Sequence, residues 1–369
     1  MKFVKGFVYM AVMTFATATF AQEAVKEEIK DIKISGKAYL EWNKELSNYD
    51  DTTEHQNTFE IKRVYLDFKK EFDSVWSARV TTDVGQVESE GEAEVTDTGS
   101  GDPETVDVKA KSDPYTVYVK YAYIQAKQKM DFVDANFKFG MIGTPLIGLI
   151  DDKSDYRWVE QNYVDQAKNI IGTSIDSSAD MGVSVDLSFF KMVKLSGSLV
   201  NGEGYKKVNE DELGDDGKAY YGMLTITPVK GLDIFGTYRN QITDDGHGSD
   251  NYSRYMAFGA SYSTDLIKVG AMYVMPEVKK EGVENEYTLI DSWLLANLES
   301  VINIPILITG RYSYGENEDV DDSEVTIWAA GLGYAINKNI RVMAYYQDAD
   351  NDAKEDPETT FYVKTEVAF

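Results

Sequence analysis

Apolar and polar residues alternate strictly along many short segments of this chain of 369 residues. In the segment 361–369, Phe361, Val363, Val367 and Phe369 occupy alternate positions, and mainly polar residues stand between them. A repeat of two residues places these side chains on one face of a β-strand. The pattern therefore predicts an all-β protein whose strands each have one apolar and one polar face.

Segments of this kind have about the 9–11 residues that a tilted membrane-spanning strand requires. We count sixteen of them, and an even number is typical of antiparallel barrels in bacterial outer membranes. The predicted strands are 32–46, 57–71, 74–86, 114–128, 132–142, 179–189, 192–202, 218–227, 231–242, 252–263, 265–276, 287–298, 303–314, 324–335, 339–348 and 360–369.

The strand predicted at 57–71 breaks the alternation. Phe59 and Ile61 stand at odd positions, whereas Val64 and Leu66 stand at even positions and so have the opposite parity. Either a β-bulge, which inserts one extra residue into a strand, or an error in the assigned frame accounts for the change.

The connections between the predicted strands alternate between short and long. The short ones are 72–73, 129–131, 190–191, 228–231, 264–265, 299–302 and 336–339. The long and polar ones are 47–56, 87–113, 143–178, 203–217, 243–251, 277–286, 315–323 and 349–359. Short periplasmic turns opposite long extracellular loops are typical of outer-membrane barrels, and a soluble β-sandwich has no reason to keep this regularity. The predicted fold is therefore a sixteen-stranded antiparallel transmembrane β-barrel over residues 32–369.

The first residues have the features of a secretory signal peptide. Lys2 and Lys5 precede an apolar run, and Ala21 stands at a plausible cleavage point. The run is too short for a membrane-spanning helix, which requires about 20 apolar residues. We expect a signal peptide at 1–21, a short periplasmic segment at 22–31, and export of the mature chain.

Composition excludes several classes of function. The 63 acidic residues exceed the 37 basic ones and give a net charge of −26, which argues against a nucleic-acid partner. The chain has no cysteine and only two histidines, His55 and His247, so it offers few zinc ligands and no Ser–His–Asp set. Asp348 begins a segment like a calcium loop, but Ala353 stands where such a loop requires glycine. We therefore predict no catalytic residue, no cofactor and no metal site, and hence no enzyme.

Five segments carry a family resemblance: 34–42 (ISGKAYLEW), 59–68 (FEIKRVYLDF), 76–84 (WSARVTTDV), 136–140 (NFKFG) and 200–204 (VNGEG). They resemble the bacterial outer-membrane porins grouped as phosphate-selective porins O and P. The resemblance implies a trimeric porin of sixteen strands. The phosphate channels of that family have a ladder of Arg and Lys with Tyr and Ser at the constriction, which cannot be matched here residue by residue. The resemblance therefore leaves phosphate selectivity open.

The parity of the strands assigns charged side chains to the inner wall of the barrel. A charge on the lipid face costs about 2–4 kcal/mol near the membrane midplane, so charges in the middle of a strand must point inward. Acidic residues predicted on the same face are Asp83, Asp186, Asp233 and Glu366. The predicted pore-lining basic wall is Arg79, Lys120, Lys138, Lys194, Arg239, Arg311 and Arg341, with Lys364 also on this face. These assignments predict a net basic wall, unless several of the bases lie at the strand ends among the headgroups.

The long connection at 143–178 is the candidate constriction loop. It contains the apolar run 145–150, which is out of place on a loop that faces water and is typical of one packed inside a barrel. We expect this loop to fold into the lumen, and a solvated surface loop is the alternative. Its candidate site residues are Asp151, Asp152, Asp155, Arg157, Glu160 and Asp165. Acids on this loop opposite a basic wall predict a transverse field that favours small polar solutes.

The function predicted from the sequence is passive diffusion of small hydrophilic solutes and ions through a water-filled channel in the bacterial outer membrane. A channel selective for anions or oxyanions such as phosphate is one alternative. A structural or adhesive barrel that does not conduct is another. Expected partners are outer-membrane lipid and lipopolysaccharide, two further copies in a homotrimer, and small polar solutes.

Overall fold

The computed structural model describes residues 31–47, 56–86, 115–206, 217–243, 251–354 and 356–369. Within these residues, sixteen antiparallel strands form a closed barrel in which each strand is hydrogen-bonded to its neighbours in sequence, and the last strand pairs with the first. The predicted fold class is confirmed. The predicted signal peptide at 1–21 and nearly all of the segment at 22–31 lie outside the described residues, as does the acidic loop at 87–113.

The strands are β1 Ile32–Ser47, β2 Asn57–Glu71, β3 Trp76–Gln86, β4 Tyr115–Lys129, β5 Val133–Gly143, β6 Ala179–Phe189, β7 Val193–Val200, β8 Lys218–Val229, β9 Leu232–Thr243, β10 Asn251–Ser263, β11 Ile267–Lys280, β12 Val283–Asn297, β13 Ile306–Asn317, β14 Val325–Asn337, β15 Ile340–Asn351 and β16 Glu358–Ala368. The described part of the chain also has three short helices, α1 Pro145–Ser154, α2 Lys168–Ile171 and α3 Glu299–Ile302. None of these helices is long and apolar enough to cross a membrane.

A β-bulge at Lys62 explains the change of parity in β2. Tyr39 of β1 pairs with Arg63 and the next residue, Leu40, pairs with Ile61, so that Lys62 is the extra residue. A shift of one residue turns every later side chain to the other face of a strand. The extra residue compensates for this shift, so that the apolar side chains before and after Lys62 point to the same face. The bulge interpretation of this segment is therefore confirmed.

The outward face of the barrel is apolar. Phe59, Val117, Phe139 and Leu332 are among the many large apolar side chains that point outward and are exposed. An apolar band around the whole barrel is typical of strands that face lipid, whereas a soluble protein rarely exposes so large an apolar surface. The alternation along the strands thus places the apolar face against the membrane.

The prediction of a long loop at 277–286 is wrong. β11 and β12 continue through most of it and meet in a tight hairpin at Glu281 and Gly282, whose φ angles are 53° and 83°. Positive φ at both central residues matches the right-handed twist of the paired strands. The polar residues of this segment, Glu277 and Lys279 among them, extend the two strands and do not form a loop.

Where the barrel closes, the last residue, Phe369, contacts a glycine of the first strand. The Phe369 N–H donates to the Gly36 carbonyl at 3.0 Å, and the Gly36 N–H donates to the Phe369 carbonyl at 2.7 Å. A Cβ atom on Gly36 would lie 2.4 Å from the Phe369 ring. Gly36 therefore provides the space that the terminal ring occupies where β1 and β16 meet.

Candidate channel site

The segment between β5 and β6 packs on inward-facing side chains of the barrel. Its helix α1 begins with Pro145, whose missing N–H costs nothing in the first turn, and ends where Asp155 adopts a left-handed conformation. Leu146, Ile147 and Ile150 of α1 are fully buried, and the helix contacts β7, β8 and β10 to β12. The two ends of the segment meet where the Thr144 hydroxyl donates to the Ser177 carbonyl at 2.7 Å.

The wall that receives this segment is apolar on its inner face. Met272, Val274, Leu289, Leu295 and Ile327 are buried there in one cluster with the side chains of α1. The strict alternation of polar and apolar residues did not predict this second apolar face. A signal for it is present in β12 and β14, where apolar residues stand at consecutive positions and not only at alternate ones.

Ion pairs join the segment to the wall at its tip. The Arg341 guanidinium donates two hydrogen bonds to the Asp155 carboxylate at 2.7 and 2.8 Å, and the Lys268 ammonium lies 3.1 Å from the same carboxylate. The Lys364 ammonium lies 3.3 Å from Glu160 and 2.9 Å from Glu41 of β1. Asp155 and Glu160 therefore contact bases of the wall directly. In these pairs no water-filled gap separates the negative charge of the segment from the positive charge of the wall.

A second set of ion pairs lies within the segment. The Arg157 guanidinium donates to Asp151 at 2.8 Å and to Asp165 at 3.0 Å, and its Nε donates to the Tyr65 hydroxyl at 3.2 Å. Asp152 is the exception among the six predicted loop residues, because its side chain is exposed. Five of the six candidate residues are thus held in contacts that fix the segment.

The pKa values of the carboxyl groups on this segment reflect the ion pairs. Burial raises the pKa of Asp155, but the hydrogen bonds and charge of Arg341, with Lys268, outweigh burial and lower it to about 2. Burial likewise raises the pKa of Glu160, but the charges of Lys364, Arg311 and Lys62 together more than reverse this, so that its pKa lies below the usual value. Asp155 and Glu160 are therefore ionised at neutral pH.

Asp176, near the end of the segment, behaves in the opposite way. It accepts hydrogen bonds from the Tyr221 and Tyr255 hydroxyls at 2.7 and 2.6 Å, and Arg239 lies 3.6 Å away. Burial raises its pKa above the usual value because Arg239 and the two hydroxyls only partly compensate for the loss of water.

Most of the predicted basic wall is ion-paired. Arg79 donates to Asp67 at 2.5 Å, Lys194 lies 3.2 Å from Asp186, and Arg311 makes two hydrogen bonds to Asp291 at 2.9 and 2.8 Å. Arg239 and Arg341 have the carboxylate partners on the inward segment given above. The inward-facing acids Glu41, Asp67 and Asp291 were missed, so the prediction of a net basic wall overstated its free positive charge.

Lys120 and Lys138 are the exceptions in the predicted wall, because within the described ranges neither ammonium is ion-paired. The Lys120 ammonium lies 5.1 Å from the centroid of the Tyr65 ring and 5.4 Å from that of Tyr205. The Lys138 ammonium lies 5.4 Å from the centroid of the Tyr123 ring. Each such contact stabilises a cation by about 0.5–2 kcal/mol and leaves its positive charge uncancelled.

These contacts form a column of cations and tyrosine rings along the inner side of β4. Lys206 lies 5.7 Å from the centroid of the Tyr118 ring, and Arg79 lies 4.7 Å from that of Tyr121. A second bulge, at Lys120, lets both Lys120 and Tyr121 take part, since Thr81 pairs with Tyr121 and Thr82 with Val119. This column gives the side of β2 to β7 charged and hydroxyl-bearing side chains that face the lumen.

No family model matches the chain, and no curated protein matches it either. Solved structures do. OmpF of Salmonella typhi, in complex with daunomycin, aligns at 12% identity and a TM-score of 0.61 over 92% of this chain and 97% of its own. The anion-selective porin of Comamonas acidovorans aligns at 12% identity and a TM-score of 0.61 over 92% and 99%. A trimer form of OmpT, an outer-membrane protein of Vibrio cholerae, aligns at 13% identity and a TM-score of 0.56 over 92% and 99%.

These similarities cover nearly the whole barrel, and at such low identity they establish its fold. The porin fold that the sequence resemblance implies is thus confirmed, and the narrower group of phosphate-selective porins is not represented among these three neighbours. Together with the apolar outer band, they show that this chain is a transmembrane β-barrel of the kind found in the bacterial outer membrane and has the fold of the sixteen-stranded porins.

Proposed function

We propose that this protein is a porin through which small hydrophilic solutes and ions diffuse passively. The observation that carries the proposal is the division of the inner wall. The inward segment packs on apolar side chains of β10 to β15, beside the buried pair of Asp291 and Arg311, and the part on β2 to β7 carries charged and hydroxyl-bearing side chains. A wall with polar side chains is what a water-filled path requires, and the inward segment narrows that path from the other side.

The direct test is conductance in a planar lipid bilayer. Purified protein is expected to insert in discrete steps of ohmic current. Variants then locate the path: Lys138→Glu reverses an uncancelled charge on the part on β2 to β7, and Lys191→Glu makes the same change in an exposed turn. The reversal potential in a salt gradient should move towards cation selectivity in Lys138→Glu and remain unchanged in Lys191→Glu. Absence of any conductance step supports the alternative of a structural or adhesive barrel.

A channel selective for anions is the second candidate. It is favoured by the column on β4, because Lys120 and Lys138 keep their positive charge while most other inward bases are cancelled by carboxylates. Among the neighbours, one is named an anion-selective porin. Wild-type reversal potentials decide between the candidates, since a clear preference for potassium over chloride contradicts anion selectivity. Titration of the chloride current with phosphate then tests the narrower expectation from the sequence resemblance.

The expected homotrimer is also a proposal. One neighbour is a trimer form, which supports assembly without establishing it for this chain. Native mass spectrometry of the detergent-extracted protein reports the number of chains, and current steps that close in three equal levels would agree with a trimer.

A further inference from the structure

The outer face of the barrel has a trough across β10 to β13. Its floor is made of small residues that lie in register: Ala260 pairs with Ala271, and Ala271 pairs with Ser292. Gly310 of β13 continues the floor beside Ser292, one diagonal position along the strand. Strands lie about 4.8 Å apart, so this floor is about 14 Å long.

Larger side chains border the trough and give it depth. Tyr262, Val269 and Leu294 stand on one side, and Tyr312, which pairs with Ser292, stands with Trp328 at the β13 end. The cavity between them measures about 730 Å³, which is within the range of sites that hold small ligands. The trough is thus large enough for a hydrocarbon chain to lie below the general level of the outer surface.

The hydroxyl on the floor of the trough is hydrogen-bonded within the barrel. The Ser292 hydroxyl donates to the Tyr312 carbonyl at 3.0 Å, and the backbone groups of these strands are used in the sheet. Lipid tails and leucine are about equally apolar, so the hydrophobic effect does not hold a chain in such a site. Retention must come from close packing, and packing depends on the empty space over the small residues.

One end of the trough lies beside two periplasmic turns of opposite charge. Leu232, which lines the trough, follows a turn that contains Lys230, and Tyr262 precedes a turn that contains Asp265. The two turns adjoin, because the Ser263 N–H donates to the Gly231 carbonyl at 2.9 Å. Both charged side chains are exposed. A zwitterionic headgroup offers a phosphate to the lysine and an ammonium to the aspartate.

We propose that this trough binds one hydrocarbon chain of a zwitterionic phospholipid from the periplasmic leaflet, with its headgroup beside Lys230 and Asp265. The proposal depends on the barrel spanning the membrane and does not depend on conduction. The leaflet follows from the position of the two turns, because short turns face the periplasm in barrels of this kind. Lipopolysaccharide, which lies in the opposite leaflet, does not reach this end of the trough.

The test uses native mass spectrometry of the full-length protein, loaded in mild detergent with phosphatidylethanolamine. Ala271→Phe fills the floor, and Ala344→Phe makes the same change on the outer face of β15, outside the trough. Wild type and Ala344→Phe should each retain one lipid per chain. Retention in Ala271→Phe should fall about tenfold, which corresponds to about 1.4 kcal/mol. Heat-modifiable mobility on a gel verifies that each variant is folded.

The headgroup is tested separately, with variants that leave the floor intact. Lys230→Glu should lower retention of phosphatidylethanolamine, and phosphatidylglycerol, which has no ammonium group, should be retained less than phosphatidylethanolamine by the wild type. Equal retention in wild type and Ala271→Phe overturns the proposal. Loss of the oligomer in Ala271→Phe with lipid retention unchanged also overturns it, and identifies the trough as a contact with a second copy of this chain.

Discussion

Neutralising Asp155 should release the tip of the inward segment from the barrel wall. The carboxylate is the shared partner of Arg341 and Lys268, and within the described residues no other carboxylate of the inward segment pairs with either base. In Asp155→Asn, Arg341 keeps its hydrogen bond to Glu366 at 2.8 Å and its position 4.5 Å from the Trp158 ring. The variant therefore weakens the attachment of the segment without leaving Arg341 unpaired.

The size of the effect follows from the pKa of Asp155. Its value falls from 3.8 to about 2 in the folded protein. At 1.36 kcal/mol for each pKa unit, the ionised carboxylate stabilises the folded state by about 2 kcal/mol. Because the folded pKa lies below the unfolded one, this contribution is complete above the unfolded value and is lost as the pH falls through about 2.

Two measurements check this expectation. The free energy of unfolding in urea, measured on protein in lipid vesicles at pH 7, should be about 2 kcal/mol lower in Asp155→Asn than in wild type. Limited trypsin digestion should cleave the variant faster than wild type after Lys153 and Arg157, which stand on either side of Asp155 in the chain. Asp152→Asn is the matched control, because its exposed side chain is one helical turn from the tip and should change neither result.

The pH dependence provides the refutation. Between about pH 5 and pH 2, the free energy of unfolding should fall more in wild type than in Asp155→Asn. The two free energies should become equal at the acid end of this range. If the two proteins unfold at the same urea concentration at pH 7 and are cleaved at the same rate, the ion pairs at the tip do not hold the segment, and the reasoning from the pKa of Asp155 is wrong.

Three further perturbations test other parts of the barrel. Gly36→Val places a side chain where the Phe369 ring lies, so the barrel should close much more slowly than in wild type. Heat-modifiable gel mobility measures the rate of closure, and closure at the wild-type rate contradicts that packing. Leu289→Ala opens a cavity under α1 and should lower the free energy of unfolding in urea by about 2–5 kcal/mol, while the lipid-facing Leu332→Ala should cost much less. Gly282→Val forces a branched side chain into a left-handed φ and should destabilise the hairpin of β11 and β12 by about 1–2 kcal/mol; unchanged urea unfolding would count against that hairpin.

The sequence was sufficient to predict the barrel because a strand repeats every two residues. The alternation in 361–369 identifies a strand without any knowledge of its neighbours, and the change of parity in β2 locates a bulge that the pairing of Tyr39 and Leu40 confirms. The hairpin at Glu281 and Gly282 was missed for the same reason. Above the apolar band both faces of β11 and β12 are polar, and a strand without an apolar face has no alternation to read.

The partners of the inward charges could not be predicted in the same way. Parity assigned Arg341 and Lys364 to the inner face, but their carboxylates, Asp155 and Glu160, are about 200 positions away in the chain. Asp291 faces inward and pairs with Arg311, and the alternation of β12 did not reveal it because apolar residues stand next to it on both faces of that strand. Which wall base is cancelled and which keeps its charge depends on contacts between distant segments.

The sequence by itself determined the strand periodicity, the number of strands and the presence of an apolar run inside a polar loop, because these depend only on the order of neighbouring residues. The tertiary structure alone decided that Leu146 and Ile150 are buried in one cluster with Leu289, that Asp155 pairs with Arg341, and that Lys120 and Lys138 lie among tyrosine rings. The physical reason is that closing a barrel brings together side chains whose separation in the chain bears no relation to their distance in space.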